Sequence, residues 1–161
     1  MSTLNPQRNP QLTLRLDDSA PAPATRWCEG AELAYLGGVV RLTLDTVRKD
    51  ALLEDGILHL PLPPQATQRQ IQDRAEAWLR DAAKRCLNEI IAKKSVLAGR
   101  RPPQLSLSFA AHGHWAEVRA ADALRCNWRL IEQALPVIEQ ILARAVAALP
   151  REEREADLFA A

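Results

Sequence analysis

Two histidines one residue apart, His112-Gly113-His114, are the densest group of potential metal donors in this chain. On an extended segment, residues two apart point to the same face, so both rings could meet one ion. Zinc sites take three or four protein ligands. Glu117 or Cys126 would have to complete the set. The chemistry of such a site is metal-dependent hydrolysis around His112, His114 and Glu117, with zinc or manganese as the ion. The same residues also read as an exposed loop leading into Trp115, and the sequence leaves both readings open.

Cys126 follows the two histidines closely enough to suggest a thiol nucleophile, but it lacks any recognisable local signature of one, and a packed thiol is the simpler account. His59 lies between Leu58 and Leu60 and should point away from them in a strand, which favours a surface or hydrogen-bonded role over catalysis. Trp78, Trp115 and Trp128 could stack on a ligand, although packing in the core and at its rim is the favoured account of them. Arg100-Arg101 before Pro102-Pro103 could touch phosphates, or could simply be a solvated connection between a helix and a strand.

These residues must be positioned by a chain of 161 residues, which favours one domain with a substantial core. Hydrophobic residues make up 47% and charged residues 25%, an ordinary globular balance. Lys and Arg number 21 against 20 Asp and Glu, a formal charge of +1, so no global field points to nucleic acid or an acidic membrane. No apolar run approaches the roughly 20 residues of a membrane span, and the N-terminus lacks the order of a signal peptide. Cys28, Cys86 and Cys126 are few, odd in number and form no C-x-x-C pair, which argues against a disulfide framework and for a reducing cytoplasm.

Residues 1–27, with Pro6, Pro10, Pro21 and Pro23, read as a flexible tail in which only "LTLRL" (12–16) alternates like an edge strand. Such a tail could make a second contact with a partner or cover a cleft. The folded domain then spans 28–161. "ELAYLGGVVRLTL" holds Gly37-Gly38 between two apolar runs, and "GILHLPL" follows Asp55-Gly56. Residues 31–62 are therefore expected to form a small antiparallel sheet. Thr67 to Gln70 reads as a capping box that opens a helix over 67–97. Ile71, Ala75, Trp78, Leu79, Ala82, Cys86, Leu87, Ile90 and Ile91 give it an apolar face, and Gly99 ends it. "PQLSLSF", "HWAEVRA" and "ALRCNW" read as three strands, with a turn near Ala121-Asp122. Pro136 starts a second long helix on which Leu135, Ile138, Leu142, Ala145 and Leu149 share a face. Beyond Pro150, "REERE" opens a short last helix that ends at Leu158-Phe159. The order is that of an α+β domain.

Several of these segments carry a resemblance. Tyr35-Leu36-Gly37 looks like a "YLG" hairpin, "AWLRDAAKRCL" (77–87) like a long helix that begins W-Y-x-x-x-A, and His114-Trp115 like the start of "RWGSC". "LRCNWRLI" (124–131) looks like "ISLNWRLI", the most specific of the matches. Together, over roughly 31–161, they resemble the YgjP-like family of small zinc metallopeptidase-type hydrolases. The resemblance implies a zincin-like core: a small N-terminal antiparallel sheet, two long helices and a mixed sheet between them. Trp115, Asn127 and Trp128 would be structural.

Without a gap after Asn127, the resemblance sets the family's H-E-x-x-H on Arg144, Ala145 and Ala148, its third ligand on Arg154, and the aromatic that follows on Phe159. In that motif two histidines at i and i+4 grip zinc, and the glutamate takes a proton from zinc-bound water. Arg144 has no lone pair for zinc, and Ala145 and Ala148 can neither ligate nor accept a proton. The "GSC" positions hold Ala116-Glu117-Val118. The reading that follows is a catalytically inactive homologue without a cofactor, acting as a binding or scaffold protein whose cleft edge could take an extended protein or peptide by strand addition. Two alternatives remain. One is a hydrolase whose metal, zinc, has moved to His112 and His114. The other is an anion or nucleotide sensor that uses Arg144 and Arg154, whose fixed charges could also stand in for the ion opposite a carboxylate such as Glu117.

Overall fold

The computed structural model describes residues 27–151. The expected strand at 12–16, the tail up to residue 26 and the final short helix, with Arg154 and Phe159, lie outside the described residues.

The first sheet has four strands, β1 (Glu32–Tyr35), β2 (Gly38–Leu44), β3 (Leu52–Glu54) and β4 (Ile57–Leu60), in the order β1-β2-β4-β3. It is mixed, not antiparallel as expected, because β2 runs parallel to β4. The reason lies in β3, which the sequence reading passed over. This three-residue strand forms a hairpin with β4 through Asp55 (φ 52°) and Gly56 (φ 77°), and that extra reversal sends β4 in the direction of β2. Alternation then works as it should. Leu33, Val40, Leu42, Leu58 and Leu60 are buried on the inner face, while His59 points the other way, towards Asp45.

The β1–β2 turn also differs from the expectation by one residue. Its two positive φ values fall on Leu36 (48°) and Gly37 (83°), and Gly38 is already the first residue of β2. The turn is held there by the other end of the molecule. Leu36 N–H donates to the Ile131 carbonyl at 2.7 Å and Gly37 N–H to that of Glu132 at 3.1 Å.

Helix α1 runs from Gln68 to Leu97 behind the expected capping box. Gln70 N–H donates to Thr67 Oγ1 and Thr67 N–H to Gln70 Oε1. Gly99, with φ 68°, follows its end. Ile71, Ala75, Leu79, Ala83, Leu87 and Ile91 bury one face, whereas Trp78 and Cys86 sit half-buried at its margin.

The second sheet contains β5 (Gln104–Ser108), β6 (Ala116–Ala120) and β7 (Ala123–Asn127) in the order β5-β7-β6. Strand β5 runs parallel to β7 and β6 antiparallel to it. A 3-10 turn over Trp128–Glu132 leads into helix α2, Leu135–Ala148. Helix α1 packs on the turn and on α2, and α2 packs against β6. Two sheets and two helices thus share one α+β core, to which α2 contributes Ile138, Leu142 and Val146. Leu135, the first residue of α2 and expected on the buried face, is 41% exposed. Trp27, placed with the tail in the sequence reading, is buried at 9% exposure and belongs to the core. No helix among the described residues is long and apolar enough to cross a membrane.

Candidate functional site

Asn127 ends β7 and fixes everything around it. Its side chain, 1% exposed, accepts from Arg129 N–H at 3.0 Å and so caps the 3-10 turn. The other end of the same carboxamide donates to the Ala110 carbonyl at 2.9 Å, and Asn127 N–H donates to the Trp115 carbonyl at 2.8 Å. One residue therefore pins both ends of the loop that carries His112 and His114. Trp128 is 5% exposed. Trp115 is half-buried, with an indole N–H that is buried and has no acceptor.

Within the pinned loop His112 and His114 are both exposed. Strand β6 begins only at Ala116, and Gly113 has φ 125°, so the extended geometry that would aim both rings at one ion is broken between them. Glu117 Oε1 lies 3.3 Å from Arg119 Nη1. Cys126 is fully buried opposite Ala116 on β6. Among the described residues no group of three His, Cys, Asp or Glu side chains is placed to hold a metal ion. Burial pushes the Cys126 thiol up to about 12, the reverse of what an attacking thiolate needs. Burial also raises the Cys86 thiol, with Glu89 adding to the shift, and the Tyr35 hydroxyl beside Cys86. The Tyr35 and Trp78 rings meet at 5.5 Å, a contact that uses Trp78 in packing.

Arg144, Ala145 and Ala148 lie on the last turns of α2. Arg144 and Ala148, four residues apart, share a solvent-exposed face, and Ala145 between them is half-buried. Arg144 makes no hydrogen bond or ion pair with another described residue. The donor set here, one guanidinium and two methyl groups, does not fit zinc. Arg100 stands in the connection between α1 and β5, where its neighbour Arg101 is exposed. The Arg100 guanidinium donates to the carbonyls of Pro150 at 2.9 Å, Ala121 at 3.2 Å and Arg101 at 3.3 Å, tying the end of α2 to the β6–β7 turn.

One group escaped the sequence reading altogether. Arg80, on α1, places its guanidinium carbon 4.7 Å from the Phe109 ring centroid and 5.7 Å from that of Trp128. Nothing in the local sequence marks it, because its partners come from segments far along the chain.

The YgjP-like, metallopeptidase domain family model matches residues 11–143, most of the chain, and the chain belongs to that family. The match begins inside the segment read as a tail and stops one residue before Arg144. No curated protein and no solved structure matches the chain.

Proposed function

We propose that this member of the YgjP-like family is a non-catalytic binding or scaffold protein built on a zincin-like core. One observation carries the reading: the exposed face of α2 where the family's motif falls presents Arg144 and Ala148, with Ala145 beside them. Without a lone pair at 144 or 148 there is nothing to hold zinc, and without a carboxylate at 145 nothing takes a proton from its water. Arg154, the fourth position, is equally unable to ligate.

What the fold retains is an edge. β6 closes one side of the order β5-β7-β6, and Val118 on it is 38% exposed. An extended peptide or protein segment could extend the sheet there through its own main chain, the contact proposed for the partner. Three cysteines outside any disulfide fit a reducing cytoplasm, the proposed location.

The test is metal analysis of protein purified without a histidine tag, together with a peptidase assay with added zinc. The reading expects far less than one zinc per chain and no metal-dependent hydrolysis. Stoichiometric zinc that survives Arg144→Ala and is lost with His112→Ala would overturn it in favour of the relocated site at His112, His114 and Glu117. A thermal shift by phosphate-bearing ligands that Arg144→Ala removes would instead identify the sensor built on Arg144 and Arg154.

A further inference from the structure

A different pair of arginines, away from α2, stands in an arrangement that this reading does not use. Arg80 lies over Trp128 at 5.7 Å, and Arg129 lies over the same ring at 5.6 Å. The indole attracts each cation, so one ring carries two guanidinium groups. Among the described residues, the only carboxylate paired with either is that of Glu76. Its Oε1 is 3.8 Å from Arg80 Nη2, beyond hydrogen-bonding range, and is also within 3.4 Å of Gln72 Nε2. The Arg129 side chain has no ion-pair or hydrogen-bond partner among the described residues.

The clearest sign is the Nε–H of Arg80, which is buried and has no acceptor. Buried donors are nearly always satisfied, so an orphan needs a partner such as a water, an ion or a ligand atom. Nε–H and the adjacent Nη2–H form the edge of a guanidinium that grips two oxygens of one oxyanion. Arg100 shows the contrast, since each of its three guanidinium nitrogens donates to a backbone carbonyl. Beside Arg80 the Phe109 ring is 58% exposed and offers a flat apolar surface. The neighbouring loop is fixed by the Asn127 bond to Ala110.

We propose that Arg80 and Arg129, held on Trp128, bind a phosphate-type oxyanion, either free phosphate or the phosphate group of an organic ligand. Two cations match the near-double charge of a phosphate monoester better than the single charge of a carboxylate.

The test follows the arginine Nε–H resonances of the full chain by NMR as inorganic phosphate, phenyl phosphate or acetate is added at constant ionic strength. Arg80 and Arg129 should shift saturably with phosphate and far less with acetate. Arg129→Met and Arg80→Met, each confirmed as folded by circular dichroism, should weaken binding about tenfold or more. Glu76→Gln, which removes the competing carboxylate, should tighten it. Tighter binding of phenyl phosphate, lost with Phe109→Ala, identifies an organic phosphate as the ligand; equal binding identifies free phosphate. The proposal is overturned if neither arginine responds to phosphate in the wild type and in Glu76→Gln, if acetate acts as strongly as phosphate, or if Arg129→Met binds as well as the wild type.

Discussion

Asn127 donates its Nδ2–H to the carbonyl of Ala110 at 2.9 Å, and this bond joins the end of β7 to the loop that follows β5. The same side chain caps the 3-10 turn through Arg129 N–H, so a single carboxamide serves two segments from a site shut off from water. Asn127→Ala deprives the Ala110 carbonyl and the Arg129 N–H of these partners and leaves a gap where a buried side chain stood. A loss of about 2–3 kcal/mol in urea unfolding is expected. Asn127→Asp should keep the cap but set an oxygen against the Ala110 carbonyl, and should therefore recover little of that loss. Full recovery by Asp would mean that the Ala110 bond contributes nothing.

Trp128, the next residue, fills the junction between β7, the 3-10 turn and α1 at 5% exposure. Trp128→Ala should cost about 3–5 kcal/mol, the usual penalty for removing a large buried aromatic. An unchanged unfolding midpoint would show Trp128 to be a surface residue.

Two glycines with similar backbone angles should behave differently. Gly37, at φ 83°, has the Ala134 Cα and Cβ only 2.8 Å from where a Cβ would stand, whereas Gly56, at φ 77°, has nothing within 4 Å. Gly56→Ala carries only the backbone penalty of about 1 kcal/mol. Gly37→Ala adds a steric clash that pushes the β1–β2 turn away from Ile131 and Glu132, and should lose at least about 2 kcal/mol in chemical denaturation. Equal losses at the two positions would mean that the Ala134 contact yields freely.

This contact also shows what the sequence could and could not reveal. The capping box at Thr67 and Gln70, the apolar stripe of α1 and the Pro136 start of α2 are local signals, and each element lies where they place it. "YLG" and "NWRLI" were legible as separate motifs, but their joining through Leu36 and Ile131 is a long-range hydrogen bond that no local pattern encodes. Strand β3 was missed because three residues, Leu52–Glu54, are too few to show a period, and with it went the parallel pairing of β2 and β4. The His112/His114 site looked plausible only while the segment was read as a strand, and the φ of 125° at Gly113 removes that premise. Arg80 and Trp128 meet by packing of α1 on the 3-10 turn, so their cluster had no signature to read.

Cys126 makes the stability sensitive to alkali. Its thiol is held at about 12 in the fold by burial, against an ordinary value of 9.0. Between those values the unfolded chain releases a proton that the folded chain keeps, so stability is intact below about pH 9 and falls as pH rises towards 12. The slope approaches at most about 1.4 kcal/mol per pH unit. Cys126→Ala should be less stable at neutral pH but show a flatter decline in denaturation series from pH 8 upward. Parallel curves for the two proteins would disprove the contribution. In the native state, exposed Cys28 should react with a thiol reagent well before Cys126.

The last prediction concerns α2 directly. If catalysis was lost by substitution while the helix kept its place, restoring the donors should restore a metal site. Positions 144 and 148 lie one helical turn apart on an exposed face, the spacing two imidazoles need to grip one ion. The variant Arg144→His, Ala145→Glu, Ala148→His and Arg154→His should therefore retain close to one zinc per chain after dialysis, measured by elemental analysis. The same protein without Arg154→His should hold zinc more weakly, because two imidazoles leave the tetrahedral set short of a ligand. Turnover is a separate matter. On the proposed register Ala116-Glu117-Val118 take the place of the family's "GSC", and Glu117 is already engaged with Arg119, so metal binding without hydrolysis is the expected phenotype. A quadruple variant that keeps its helical circular dichroism and still takes up no zinc would show that α2 does not hold these positions in the family's geometry, and the register from Asn127 would then have to be abandoned.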